Sequence, residues 1–330
     1  MDLRTFNRIA LACVALAAMG SATAQTGAPA AQFPAKPMRL IVPYPPGGGS
    51  DVLSRVVGAS MGEQLGQPVV IENKPGGATI VGAEAAAQAP ADGYTLFLGN
   101  VASLAVNPSL FKGKLPYDPN RDFKSVGMMG RFGMILVVNP SVKANTLAEF
   151  VELAKRGGLN YGSPGIGSPH HLAMELLKER TRVDIAHIVY KGAAPAVQDV
   201  VSGQIQAMVL DTGANAKPLI DAGKLRAIAV FSDKRLPGFE NVPTTVESGF
   251  PDLQVWGWQG LVLPSATPDA NVKKLAATLN KSLEDPRVAN KLTEVGIYPS
   301  PMAPEAFDKY WRDEGVKWQA LIEKAGIKAE

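Results

Sequence analysis

Short apolar runs alternate with amphipathic stretches over most of the chain. Runs of buried-strand length occur at residues 39–42, 68–73, 94–99, 134–138, 185–190, 207–211, 225–231 and 260–263. Stretches with helical spacing lie between many of them, and three more, at 272–283, 287–295 and 304–324, end the chain. Strands that alternate with helices in this way predict βαβ units and a parallel sheet covered by helices.

The first strand leads into a proline- and glycine-rich loop, residues 43–51. Gly47, Gly48 and Gly49 allow positive φ and leave no side chain between the backbone and an approaching molecule. Ser50 is a predicted N-cap, so a helix should begin directly after the glycines. Unpaired N–H groups and the positive end of the helix dipole favour a small anion at this point. A tight strand-to-helix turn without a ligand is the alternative interpretation.

A second loop, residues 161–171, repeats this design. It runs from a strand through Gly162, Ser163, Gly165, Gly167 and Ser168 into a helix predicted over 172–178. Two such loops in one chain predict two lobes that hold one small molecule between them.

Polar residues follow other predicted strands. In parallel sheets, ligands bind beyond the carboxyl ends of the strands, which points to the loops at 43–51, 73–79 and 99–104. Asn100 and Ser103 are therefore candidate ligand contacts. Asp211 ends a buried strand, where a carboxylate needs hydrogen bonds, and it is either a ligand contact or a cap on a neighbouring loop.

The first 24 residues have the features of a cleaved export signal. Arg4 and Arg8 precede an apolar run at 9–19, and Ala22-Thr23-Ala24 forms an A-x-A cleavage site. Cleavage there removes the only cysteine, Cys13. A cysteine-free exported protein is typical of a bacterial periplasm, where we expect this protein to reside. Residues 25–32 are predicted to form a flexible leader.

Charge and motifs exclude several functions. The 33 basic and 30 acidic residues are interspersed, which argues against a nucleic-acid partner. The loop at Gly47 lacks the GxGxxG register, no lysine follows Gly167 as in a phosphate loop, and there is no GxSxG elbow. His171 and Glu175 are only half of a metal site. The sequence thus predicts no metal, no cofactor and no enzyme.

Several motifs together resemble the Bug family, periplasmic receptors related to the tripartite tricarboxylate transporter substrate-binding proteins. The resemblance covers nearly all of the chain after the export signal. Its motifs, in order, are PYPPGGGSD at 43–51, ENKPGG at 72–77, ADGYTL at 91–96, residues 162–171, YKG at 190–192 and AGKLR at 222–226.

The resemblance implies a two-lobed type II periplasmic binding protein fold of the α/β class, with a carboxylate ligand held largely by main-chain N–H groups and water. It places the ligand against one set of residues in each lobe and puts Asp211 near the cleft. The first set is Tyr44, Pro46, Gly47, Gly48, Gly49 and Ser50; the second is Ser163, Gly167, Ser168 and His171. Pro46, where the family often has a small residue, and the variable stretch 211–215 bear on which acid is bound.

The lobes are predicted at residues 33–130 with 256–330, and at 131–255, with crossovers near 130–133 and 255–258. The expected function is capture of a small carboxylate for a tripartite tricarboxylate-type membrane transporter, by a protein expected to be a monomer. The ligand would be an organic di- or tricarboxylate, an aromatic acid or an acidic amino acid. Two alternatives stay open: a receptor that feeds a signalling system, and a hydrolase or lyase that uses Asp51, His171 or Asp211 as acid and base.

Overall fold

A computed structural model describes residues 33–213 and 216–329. The predicted export signal and leader lie outside the described residues. The chain divides into two compact units, residues 1–35 and 36–330. All elements named below belong to the second unit.

Ten strands form the framework of this unit. They are β1 Met38–Val42, β2 Val69–Asn73, β3 Thr95–Asn100, β4 Phe123–Val138, β5 Asn160–Ser163, β6 Ala186–Val189, β7 Ala207–Asp211, β8 Arg226–Val230, β9 Trp256–Pro264 and β10 Tyr298–Met302.

Eleven α-helices connect and cover the strands of the described chain. They are α1 Gly49–Leu65, α2 Ile80–Ala87, α3 Asn107–Leu110, α4 Pro119–Asp122, α5 Leu147–Lys155, α6 Pro169–Thr181, α7 Ala193–Ser202, α8 Ala216–Asp221, α9 Asp269–Glu284, α10 Pro286–Glu294 and α11 Pro304–Ala325. A 3-10 turn, Gly77–Thr79, precedes α2, and a π-helical segment, Val101–Val106, joins β3 to α3.

The strands form two sheets that share β4. Sheet A has the order β2-β1-β3-β9-β4-β10, and sheet B has the order β8-β4-β7-β5-β6. The first part of β4 pairs with β9 as far as Gly133, and the next residue, Met134, pairs with Asp211 of β7. One strand therefore passes without interruption from one sheet into the other.

The α/β class predicted from the sequence is confirmed. β1 pairs in parallel with β2 and β3, and β5 pairs in parallel with β6 and β7, as βαβ units require. β4 and β9 pair antiparallel with their neighbours, and β8 and β10 pair antiparallel with β4. Each sheet is therefore mixed, with its parallel strands on one side.

Three strand segments escaped the sequence pattern: β10, residues 123–133 of β4 and residues 256–259 of β9. Glycines interrupt the apolar run of β4 because β10 lies close against it. A Cβ at Gly127 would lie 2.7 Å from the carbonyl oxygen of Met302, and one at Gly130 would lie 2.9 Å from Cγ2 of Ile297. β10 contains Pro299 and Pro301, residues that are depleted in strands.

One apolar core serves both sheets. The largest cluster of buried side chains includes Phe97 and Trp258 of sheet A together with Leu136 and Tyr161 of sheet B. Long-range packing of this kind makes the two sheets stabilise each other. Among the helices of the described residues, none has the length and apolar character needed to cross a membrane.

Candidate functional site

The glycine loop between β1 and α1 is open to solvent. Gly47, Gly48 and Gly49 are exposed, and no other heavy atom lies within 4 Å of the place a Cβ would take at Gly47 or Gly48. Gly47 has a φ of +90°, a conformation that favours glycine. The helix begins at Gly49 with Gly48 as N-cap, so the predicted N-cap at Ser50 is wrong and Ser50 lies in the first turn.

Asp51 holds this loop in shape. Its Oδ2 accepts hydrogen bonds from the N–H of Gly47 at 3.0 Å and from Nε of Arg55 at 2.8 Å. Its Oδ1 accepts one from Nδ2 of Asn73 at 3.0 Å. The Arg55 hydrogen bond is the main cause that lowers the pKa of Asp51 to about 2, against the opposing effect of burial. An ionised and buried carboxylate thus fixes the backbone at Gly47.

Tyr44 and Pro46 lie on the same loop. The Tyr44 carbonyl accepts a hydrogen bond from Nδ2 of Asn73, which ties the loop to the end of β2. Burial raises the pKa of the Tyr44 phenol to about 12, so this side chain is a neutral hydroxyl at physiological pH. Pro46 is exposed beside the glycines.

Gln259 of β9 reaches the glycine loop, and the sequence analysis missed it. Its Nε2 donates to Oγ of Ser50, and its backbone pairs in register with Asn100 at the end of β3. Asn100 and Ser103 form a capping box, in which Asn100 Oδ1 accepts from the Ser103 N–H at 3.1 Å. Asn100 Nδ2 and Gln259 Oε1 are buried and make no hydrogen bond within the described chain. In the predicted ligand contact Asn100, the side-chain oxygen is therefore used to cap the following helix, whereas the side-chain nitrogen has no hydrogen-bond partner within the described chain.

The second loop, between β5 and α6, uses much of its hydrogen-bonding capacity internally. The Gly167 N–H donates to Nδ1 of His171 at 3.2 Å, and Ser168 Oγ accepts from the His171 N–H at 3.3 Å as the N-cap of α6. The Gly165 N–H donates a further hydrogen bond to Ser163 Oγ at 3.3 Å. This loop therefore resembles the first in sequence, but its glycine N–H groups and serine hydroxyls mainly form hydrogen bonds within the loop and the first turn of α6.

The imidazoles of His171 and His187 pack against each other beside this loop. The His187 ring packs nearly parallel to both Tyr161 and His171, with centroid separations of 4.6 and 4.2 Å. Its Nε2 is 2.7 Å from Oγ of Ser163. Burial is the main cause that lowers the pKa of His171 to about 3 and that of His187 to about 4. Both rings are therefore neutral at physiological pH, and His171 accepts at Nδ1 and carries its proton on Nε2.

A buried carboxylate closes the far side of this stack. Glu175 Oε1 accepts from the Tyr161 hydroxyl at 2.7 Å and from Nζ of Lys178 at 2.8 Å. Glu175 therefore has structural partners and does not join His171 in a metal site. No group of three or more candidate metal ligands is found among residues 33–213 and 216–329.

Asp211 ends β7 beside the second loop. Its Oδ1 accepts from the Gly213 N–H at 3.1 Å, and its Oδ2 is 3.9 Å from Nε2 of His170 in the first turn of α6. One third of the side chain is exposed. Burial raises the pKa of this carboxyl, but His170 and the Gly213 N–H lower it by more, so Asp211 is ionised.

Two series of packing contacts link segments near the glycine loop with segments near the second loop. On one side, a Cβ at Gly49 would be 3.7 Å from Ile297, and the neighbouring Gly296 packs on Gly213, beside Asp211. On the other side, the segment that follows Asn100 reaches Gly167, where a Cβ would be 2.5 Å from Cδ2 of Leu110. These contacts link segments around the two loops, and that both loops face one ligand stays a prediction.

The acid and base groups of the hydrolase alternative have other partners. Asp51 is bonded to Arg55 and Asn73, and the Nδ1 of His171 is occupied by Gly167. Asp211 faces His170 and not His171. A hydroxyl and an imidazole also pair at Ser163 and His187, but the Ser163 Oγ already accepts a hydrogen bond from the Gly165 N–H.

Comparisons with known proteins find relatives that match over most of the chain. Residues 53–327 match the profile of the tripartite tricarboxylate transporter family receptor. Protein BugT of Bordetella pertussis (strain Tohama I) is 35% identical over 312 residues, which cover 93% of this chain and 95% of BugT.

Solved structures have the same fold. The periplasmic binding protein BugD has a TM-score of 0.78 and 31% identity, covering 90% of this chain and all of BugD. R. palustris Rpa4515 with adipate has a TM-score of 0.81 and 32% identity, covering 90% of this chain and 99% of its own. MatC from Rhodopseudomonas palustris with bound malate has a TM-score of 0.77 and 31% identity, covering 88% of this chain and all of MatC. From its sequence and its fold, this chain belongs to the tripartite tricarboxylate transporter receptor family.

Proposed function

We propose that this protein is a periplasmic solute-binding protein that captures a small carboxylate for a tripartite tricarboxylate-type membrane transporter. The observation that carries the proposal is the exposed glycine loop at the start of the 17-residue helix α1. There the N–H groups of the first helical turn and the helix dipole act on one point that no side chain covers. Two solved relatives are described with adipate and with malate, and both of these molecules carry carboxylate groups, the kind of anion that such a helix start favours.

The proposed ligand contacts fall into two groups. In the glycine loop they are the N–H groups of Gly48, Gly49 and Ser50, because the Gly47 N–H is used by Asp51. Tyr44, Pro46 and Gly47 form the surrounding wall. The side chain of Asn100 contributes from the neighbouring strand end. On the other side of the site, the contacts come from Ser163, Gly167, Ser168 and His171, with Asp211 between the two groups.

Ligand capture by closure of two lobes is part of the same proposal. Sheet A with its helices would form one lobe and sheet B the other. The change of partner in β4 between Gly133 and Met134, and the start of β9 at Trp256, support crossovers at these two places. The closed form would then dock on the membrane transporter.

Isothermal titration calorimetry tests the proposal directly. The protein without residues 1–24 is titrated at pH 7.5 with dicarboxylates, tricarboxylates, aromatic acids and acidic amino acids, after unfolding and refolding to remove retained ligand. Saturable binding of at least one carboxylate is expected. A folded sample that binds none of them would contradict the proposal.

A further inference from the structure

Asp211 is the one residue of the proposed site whose charge opposes a second carboxylate. It ends β7 beside the first turn of α6, it is ionised, and one third of its side chain is exposed. The only ion-pair partner found for it among the described residues is the imidazole of His170, at 3.9 Å. That distance is too long for a hydrogen bond.

The carboxylate of Asp211 has few partners within the described residues. The Gly213 N–H donates to Oδ1, and the His170 imidazole lies 3.9 Å from Oδ2. No lysine or arginine of the described residues forms an ion pair with Asp211. A partly exposed carboxylate without such a partner attracts a positive group of a ligand.

We propose that Asp211 binds a cationic amino group of the ligand, so that the receptor selects amine-bearing carboxylates, such as amino acids, over plain dicarboxylates. This inference rests on the proposed function. The ligand carboxylate would lie at the N–H groups of Gly48 to Ser50, and its ammonium group would face Asp211. Contacts from Gly49 to Ile297, and from Gly296 to Gly213, keep these two ends of the site close together.

The same geometry should weaken the binding of ligands that lack an amino group. A dicarboxylate such as succinate, held by one carboxylate at α1, would bring its second carboxylate towards Asp211, and like charges repel. A hydroxyl group could donate a hydrogen bond to Asp211, but it would not neutralise the charge. The order of affinity expected within one carbon skeleton is therefore amine, then hydroxyl, then the unsubstituted acid.

Calorimetry with matched ligands tests this order. L-aspartate, L-malate and succinate share one skeleton, and L-glutamate, 2-hydroxyglutarate and glutarate share another. In the wild-type protein the amine should bind at least about tenfold more tightly than the unsubstituted acid, as expected for a charge pair withdrawn from water. Asp211→Asn keeps the shape and should weaken binding of the amine by about thirtyfold or more, while binding of the unsubstituted acid stays the same or improves.

Control variants and alternative results make the test decisive. Asp313→Asn removes an exposed carboxylate that pairs with Lys309, and it should leave all affinities unchanged. Thermal unfolding verifies that Asp211→Asn is folded. Equal binding of amine and unsubstituted acid, equal binding of amine and hydroxyl, or an unchanged preference in Asp211→Asn would each overturn the inference while carboxylate capture stands. If no carboxylate binds the wild type at all, the proposed function itself fails.

Discussion

Gly48 is the residue at which access to the backbone is most open. Its φ of −82° suits any residue, and nothing lies within 4 Å of the place a Cβ would take. Gly48→Val should therefore fold normally but obstruct the approach of an anion to α1, and weaken carboxylate binding by about tenfold or more. Calorimetry measures the carboxylate affinity of each variant. Gly48→Ala adds a smaller side chain and should give an affinity between those of the wild type and Gly48→Val. Wild-type affinity in Gly48→Val would remove the glycine loop from the binding site.

Asp51 is expected to couple the stability of the fold to the shape of the loop. Asp51→Asn removes an ion pair and weakens the hydrogen bond to Gly47, which should lower the free energy of unfolding by about 1.5–3 kcal/mol at pH 7. Because the folded-state pKa of about 2 lies below the ordinary 3.8, the wild type keeps this contribution above pH 3.8 and loses it as the pH falls towards 2.

Urea denaturation of the wild type and of Asp51→Asn measures this effect. Glu152→Gln is the matched control, because it removes an exposed ion pair with Lys155 and should leave the free energy of unfolding nearly unchanged. Equal losses in the two variants would show that burial of Asp51 adds nothing.

His171 should make stability depend on pH in a different range. Its folded-state pKa of about 3 lies below the ordinary 6.5, so between these values the unfolded chain binds the proton first and stability falls with falling pH. His171→Gln keeps an acceptor for Gly167 and should reduce the slope by about 1.4 kcal/mol per pH unit. Urea denaturation at pH 6.0, 5.0 and 4.5 compares the two proteins. Parallel slopes would mean that the buried ring does not stay neutral.

Residues that act through local sequence were predictable, and those that act across the fold were not. The glycine turn at Gly47 to Gly49 follows from neighbouring residues alone, although the same local rules placed the N-cap at Ser50 instead of Gly48. Gln259 lies 209 positions from Ser50, and His187 reaches Ser163 from the neighbouring strand. No periodicity or spacing signals such contacts, because β-sheet pairing creates them.

At the scale of elements, strands with continuous apolar runs were predictable, whereas strands shaped by their neighbours were not. β1, β3 and β7 appear close to their predicted bounds. The first part of β4 has glycines where β10 and β9 press against it, and β10 has prolines at an edge where missing N–H groups cost little. Their identity as strands depends on partners that lie far away in the sequence.

Gly257 lies near a proposed crossover, at a place where the packing leaves no room for a side chain. A Cβ there would lie 2.0 Å from Cε2 of Phe132, so the aromatic ring and the start of β9 would have to move. Gly257→Ala should lower the free energy of unfolding by about 1–3 kcal/mol, as overpacking usually does. Gly315→Ala in α11 is the control, because its Cβ would meet nothing closer than 3.7 Å and alanine favours helices. Equal stability of the two variants in urea would show that Phe132 moves aside without cost.

At the scale of the whole molecule, ligand binding is expected to bring the two proposed lobes together. X-ray scattering with a saturating ligand should then give a smaller radius of gyration than without it. Trp256 offers a second signal, because the Arg131 guanidinium lies 4.1 Å from its ring at the crossover, whereas Trp258, Trp311 and Trp318 are fully buried. Trp256→Phe should abolish any ligand-induced fluorescence change. Identical scattering curves would contradict closure.

β4 has a consequence for how this protein could be divided. Because eleven of its residues belong to sheet A and the last five, residues 134–138, to sheet B, a cut at Gly133 leaves each fragment with half a strand and an open row of backbone donors and acceptors. Neither fragment would be a self-sufficient module. Co-expressed halves should recombine into a complex, and a half produced alone should be prone to aggregation and proteolysis.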